Sequence, residues 1–157
     1  EQHIIDSFAV NSTAIIRIIH HFYASLSASE DFYCGIMGSI AGFISSPLFA
    51  VYGATKAALK IFIESVNVEL EMAGTTNRIL NISPGSIKGT AFYNDANDLT
   101  ATRPLAQEIL THLWAKEDLW IPQYDEIFKG VLERYHNDFR EEGRHSYHYK
   151  LQSGRIK

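Results

Sequence analysis

Phe32-Tyr33-Cys34-Gly35-Ile36-Met37 is an apolar run that opens into the small residues Gly38-Ser39-Ile40-Ala41-Gly42. A short continuous apolar run bounded by turn formers predicts a buried strand. After a loop through Ser45-Ser46-Pro47, the stretch from Tyr52 to Ala73 carries Ala57, Ala58, Leu59, Phe62, Val66 and Leu70 at helical spacing. It stops at Gly74, a natural helix C-cap. Arg78-Ile79-Leu80-Asn81-Ile82 reads as a second strand, ended by Ser83-Pro84-Gly85. Strand, helix and strand in succession form a unit whose two strands run parallel.

Upstream of this unit, Ile5, Phe8, Ala9, Ile15, Ile16, Ile19, Phe22, Tyr23 and Leu26 recur every three or four residues and predict one long helix from Gln2 to about Ser27. Its weak point is Asn11-Ser12-Thr13, three short polar side chains that compete for backbone hydrogen bonds. That step is either solvent-facing or holds a buried Asn11 with a function. Downstream, Pro104 is expected in the first turn of a helix running from Leu105 to Trp114. Leu119-Trp120-Ile121 is a third strand candidate, and Tyr124 to about Phe139 a further helix. Strands alternating with helices place the chain in the α/β class with a parallel sheet. The segment 140–157 is polar and basic and is expected to be a solvated or loosely attached tail.

The 157 residues suffice for one domain, 1–157, with one core. Hydrophobic residues make up 46% and charged residues 20%, a balance that folds rather than stays disordered. A net charge of -4 with no dense Lys/Arg run argues against nucleic acid as a partner. The apolar runs around Ile15-Ile16 and Ile18-Ile19 are interrupted by Arg17 and His20, so no membrane span is expected. A single cysteine, Cys34, forms no internal disulfide and fits a reducing, cytoplasmic setting. The chain begins at Glu1 with no signal-peptide pattern and reads as starting in mid-sequence.

Tyr52 and Lys56 stand four apart at the start of the second long helix and share one face. A tyrosine titrates near pH 10, and a neighbouring ammonium favours its phenolate, the shift that acid/base chemistry near neutrality requires. On its own the spacing is common on helix surfaces. Ser39 adds weight because it lies at the carboxyl end of the first predicted strand, the edge where open α/β sheets bind ligands. A hydroxyl there can donate to a substrate oxygen while Tyr52 gives or takes its proton. Ser45 and Ser46 compete but lie in the loop. Pro84-Gly85 supplies a tight turn at the same edge, where bare backbone approaches a ligand. Ser39, Tyr52 and Lys56 are therefore expected to converge on one cleft. His145 and His148 lie in the basic segment with no carboxylate or Cys at ligand spacing, and no metal is expected.

With these motifs in order, the sequence resembles the short-chain dehydrogenase/reductase family. The matching text is Asp6-Ser7-Phe8-Ala9-Val10-Asn11, Gly38-Ser39-Ile40-Ala41-Gly42, Tyr52-Gly53-Ala54-Thr55-Lys56-Ala57-Ala58 and Asn81-Ile82-Ser83-Pro84-Gly85-Ser86-Ile87. The resemblance is close over residues 4–90 and looser over 104–139. It implies the C-terminal part of a Rossmann-type doubly wound parallel sheet, and an oxidoreductase that transfers a hydride between NADP or NAD and a secondary alcohol or ketone. It further implies a catalytic set of Asn11, Ser39, Tyr52 and Lys56. Tyr52 would be the general acid/base and Ser39 would orient the same oxygen. Lys56 would lower the Tyr52 pKa and hold the nicotinamide ribose, and Asn11 would anchor a proton-relaying water.

Cofactor contacts are implied from Tyr52, Lys56, Pro84, Gly85, Ile87 and Thr90, although Gly89 stands where the family places threonine and Thr90 follows one position later. The family's glycine-rich phosphate loop has no counterpart in these residues, so the chain looks like the C-terminal two thirds of such an enzyme. The implied partners are a small-molecule alcohol or carbonyl substrate and further copies of the chain in a homo-oligomer. The alternative is a truncated, catalytically silent chain acting as a structural or interaction fragment.

Overall fold

The computed structural model describes residues 1–93 and 96–153. Helix α1 spans Gln2–Phe8 and helix α2 Ala14–Leu26, and the five residues between them, Ala9–Thr13, form a π turn instead of an interruption. The wide turn falls on Asn11-Ser12-Thr13, the step where helix propensity is weakest. Strand β1 is Cys34–Met37, helix α3 Ala50–Met72 and strand β2 Ile79–Ile82. Helix α4 is Leu99–Trp114, strand β3 Leu119–Trp120, helix α5 Lys129–Asn137 and helix α6 Phe139–Gln152.

Among the described residues the sheet has the order β1-β2-β3, all parallel. Cys34 pairs with Ile79 and Met37 with Ile82, and Ile82 pairs in turn with Trp120. Ile36 faces α2 and α3, joining Ile19, Leu26, Leu59, Ile63, Val66, Leu70 and Ile79 in the core. On α3 the contributing positions are spaced four, three and four apart, the stripe that one helix face presents. Gly35, on the opposite face of β1, lies against Leu113 of α4. Helices thus cover both faces of a parallel sheet, as in part of a Rossmann-type doubly wound fold.

Two buried amides fix the strand positions. Asn67 on α3 accepts from the Ile79 N–H at 2.8 Å and donates to the Ile79 carbonyl at 2.9 Å, so its side chain pairs with the end of β2 as a neighbouring strand would. Asn77 accepts from the Phe32 N–H and donates to the carbonyls of Leu26, Ala28 and Glu30, joining the turn after α2 to the approach of β1. Helix α3 ends as its sequence predicts. Gly74 adopts φ +79°, its N–H donates to the Glu71 carbonyl, and the Thr75 N–H donates to the Leu70 carbonyl, the paired bonds of a glycine-terminated helix.

Three expectations are corrected. Helix α4 starts at Leu99, not near Pro104, because Asp98 caps it by accepting from the N–H groups of Thr100 and Ala101, and Pro104 lies inside the helix. The expected helix from Tyr124 to Phe139 is a π turn at Tyr124–Phe128 followed by α5, which stops at Asn137. In place of a loosely attached tail the chain forms α6, capped by Asp138 and held by polar pairs. Arg134 Nε donates to the buried Glu142 at 2.7 Å, and Lys150 Nζ donates to Ser46 Oγ at 3.0 Å and the Pro47 carbonyl at 2.9 Å. Residues 154–157 of that segment lie outside the described residues. No helix among the described residues is long and apolar enough to cross a membrane.

Candidate active site

Ser39 stands two residues beyond the end of β1 and caps the short turn Ile40–Gly42, its Oγ accepting from the Ala41 N–H at 3.2 Å. With that lone pair engaged, the hydroxyl proton is left to donate outward. The Ile40 N–H donates to the Pro84 carbonyl at 3.1 Å, which joins the loops after β1 and β2 at the carboxyl edge of the sheet. Gly42 then passes so close to α3 that a Cβ there would stand 2.8 Å from the carbonyl carbon and oxygen of Lys56. The loop carrying Ser39 is therefore pressed against the first turns of the helix carrying Tyr52 and Lys56.

Tyr52 lies in the first turn of α3, with its ring centre 5.7 Å from that of Phe92. Ser39 and Tyr52 line one cavity of about 810 Å³, whose wall also includes Gly85, Phe49, Phe128 and Lys150. Lys56 does not line it. Its ammonium donates to the carbonyl of Met37, the last residue of β1, at 2.9 Å, and sits 5.7 Å from the centre of the Tyr52 ring. Burial pushes the Lys56 pKa below the ordinary amine value. One of three ammonium donors goes to Met37, which leaves two for a ligand such as a ribose diol.

Asn11 stands on the π turn, and its Nδ2 donates to Thr55 Oγ1 at 3.3 Å. Thr55 in turn donates to the Tyr52 carbonyl at 2.7 Å and accepts, at its own carbonyl, the Ser12 hydroxyl at 2.9 Å. Thr55 is completely buried and Ser12 nearly so. Asn11 thus reaches the candidate site through Thr55, the residue before Lys56, not by facing the cavity. Sequence reasoning passed over Ser12 and Thr55. Ser12 lies between Asn11 and Thr13 and Thr55 beside Lys56, so nothing in their local sequence marks them as buried.

The remaining expected contacts divide. Gly85 lines the cavity, packed against the Phe128 ring, while Pro84 is buried behind the wall. The Ile87 carbonyl accepts the Thr90 hydroxyl at 2.7 Å, so that hydroxyl closes its own turn. In the segment between Thr90 and α4, positions 94 and 95 lie outside the described residues. The residues described fit the nicotinamide end of a dinucleotide: a lysine donor beside a tyrosine, at the carboxyl edge of a parallel sheet with a proline-glycine turn.

A family model described as short chain dehydrogenase matches residues 1–100. A short-chain dehydrogenase of Pyricularia oryzae is 30% identical over 131 residues, covering 80% of this chain and 45% of that protein. One from Neurospora crassa is 32% identical over 115 residues, 71% of this chain and 39% of that protein. An NADP-dependent 3-hydroxy acid dehydrogenase of Shigella flexneri is 48% identical over 44 residues, 28% of this chain and 17% of that protein. The chain spans less than half the length of these relatives.

Proposed function

The chain belongs to the short-chain dehydrogenase family, and on that premise we propose that the protein is an oxidoreductase moving a hydride between NAD or NADP and a secondary alcohol or ketone. The observation that carries this reading is the meeting of Ser39 and Tyr52 in one cavity wall with the Lys56 ammonium 5.7 Å from the Tyr52 ring. The dinucleotide, when bound, supplies or accepts the hydride. Everything else falls to the chain's own groups.

In the reducing direction the substrate carbonyl accepts a hydrogen bond from the Ser39 hydroxyl, whose oxygen accepts from the Ala41 N–H, and takes its proton from the Tyr52 hydroxyl. In the oxidising direction Tyr52 receives that proton. The remaining donors of Lys56 hold the ribose, while the Met37 carbonyl keeps the ammonium in position. Asn11 anchors a water on the relay to Lys56, and its bond to Thr55 steadies the π turn beside the helix that carries both residues. Pro84, Gly85, Ile87 and Thr90 shape the turn that faces the nicotinamide. The lysine's lowered pKa supports a role in proton exchange, since it brings the amine nearer the working range.

The exposed apolar side chains of α1, α2 and the π turn between them, among them Ile4, Ile5, Val10 and Ile18, support assembly of the protein as a homo-oligomer through this segment. The test of function is steady-state turnover of secondary alcohols and ketones by the full-length protein with each of the four nicotinamide dinucleotides. Turnover with one oxidised and reduced pair is expected. No turnover with any pair would overturn the reading.

A further inference from the structure

Resting on the oxidoreductase reading, we infer that the substrate is a bulky, ring-bearing apolar ketone or alcohol, selected by the face that Ile127, Phe128 and Val131 present to the cavity. The cavity, of about 810 Å³, extends to the α5/α6 side of Tyr52, beyond the Gly85 turn, and neither Lys56 nor Asn11 lines it, so that side is where the body of a substrate fits. Volumes of this size accommodate compounds of several rings, far more than a short-chain ketone needs.

The π turn and α5 give the cavity an apolar face, while α6 brings Glu142, His145 and Ser146 to its wall. Ile127 and Val131 stand four residues apart across the junction of the π turn and α5, and Phe128 lies between them. Phe128 is seated against Gly85: a Cβ at that glycine would come within 2.6 Å of the ring, so the glycine makes the space that sets the phenyl plane. On the near side Phe92 lies beside the Tyr52 ring at an interplanar angle of 40°, presenting an aromatic surface next to the proton donor. The acid in the wall, Glu142, is 3% exposed and its charge is matched by Arg134.

A substrate oxygen is therefore held at Ser39 and Tyr52 while the rest of the molecule displaces water from carbon surface. Lys88, His145 and Lys150 also border the cavity, and a carboxylate-bearing substrate is the competing outcome that the test must separate.

The test compares kcat/KM of the full-length protein for a two-ring aryl methyl ketone, butanone and a four-carbon 3-keto acid. A single methylene in an apolar pocket changes kcat/KM by about tenfold or more, so the aryl ketone is expected to exceed both others by at least about 100-fold. Ile127→Trp and Val131→Trp each fill the chamber from a different position, and each is expected to lower the aryl-to-butanone ratio at least tenfold. Circular dichroism verifies the fold of both, and either variant suffices. Equal or better turnover of butanone or the keto acid, or an unchanged ratio in a folded variant, overturns the inference and leaves the oxidoreductase reading standing. Turnover of none of the three by the folded protein overturns both.

Discussion

Gly42 and Lys56 meet backbone to backbone: the space a side chain would need at Gly42 is already taken by the Lys56 carbonyl group. The contact sets the distance between the loop that presents Ser39 and the helix that presents Tyr52. An added methyl has no flexible neighbour to displace, so either the loop or the helix must move.

Gly42→Ala should therefore destabilise the protein by about 1–3 kcal/mol, the usual range for overpacking. Turnover should fall further than stability explains, because Ser39 shifts relative to Tyr52. Urea midpoints and kcat measured well below the unfolding transition separate the two effects. A variant with native stability and native kcat would show that the close approach is dispensable.

Lys56 offers a pH dependence with a definite sign. Burial lowers its pKa in the native state, so between that value and the ordinary lysine value of about 10.4 the unfolded chain binds more protons than the native one. Stability linked to this group then rises with pH across that window, and its burial penalty is fully present below it. Urea unfolding of the wild type and Lys56→Met from pH 7 to pH 10 should show the wild type gaining on the variant as pH increases. A difference that stays flat or falls would mean the ammonium is not desolvated.

The βαβ unit from Phe32 to Ile82 was legible because its signals are local. An apolar run, a helical stripe of Leu59, Val66 and Leu70, and a terminating Gly74 each declare one element. The π turn was visible as a weak step, since Asn11-Ser12-Thr13 breaks propensity without breaking period. Of the three residues expected on one cleft, Ser39 and Tyr52 share a cavity wall, whereas Lys56 is drawn to the Met37 carbonyl outside it, a backbone partner that helix spacing does not announce. What remained hidden depends on partners distant in sequence. Helix α6 has little apolar periodicity and is held by Glu142 to Arg134 and by Lys150 to Ser46 and Pro47, pairs that no local pattern announces. The start of α4 turned on one capping residue, Asp98, against the stronger prior that proline opens a helix.

The Arg134–Glu142 pair makes α6 testable as a packed element. Arg134 is half exposed, but its partner carboxylate is 3% exposed, and removing the cation leaves a buried charge without compensation. Arg134→Met should lower stability by about 3 kcal/mol. It should also raise chymotrypsin cleavage within Phe139–Gln152, which holds Tyr147 and Tyr149. Native stability together with native protease resistance would indicate that α6 is held without this pair.

The central claim is that the Tyr52 hydroxyl exchanges a proton with the substrate oxygen. Replacing Tyr52 by Phe in the full-length protein keeps the ring beside Phe92 and removes only the hydroxyl. The direct measurement pairs kcat/KM for a turned-over ketone with the dissociation constant of the reduced dinucleotide. The account predicts a loss of at least about 1,000-fold in kcat/KM with dinucleotide affinity changed by less than about threefold. A Phe variant that keeps kcat/KM within about tenfold of wild type would contradict it.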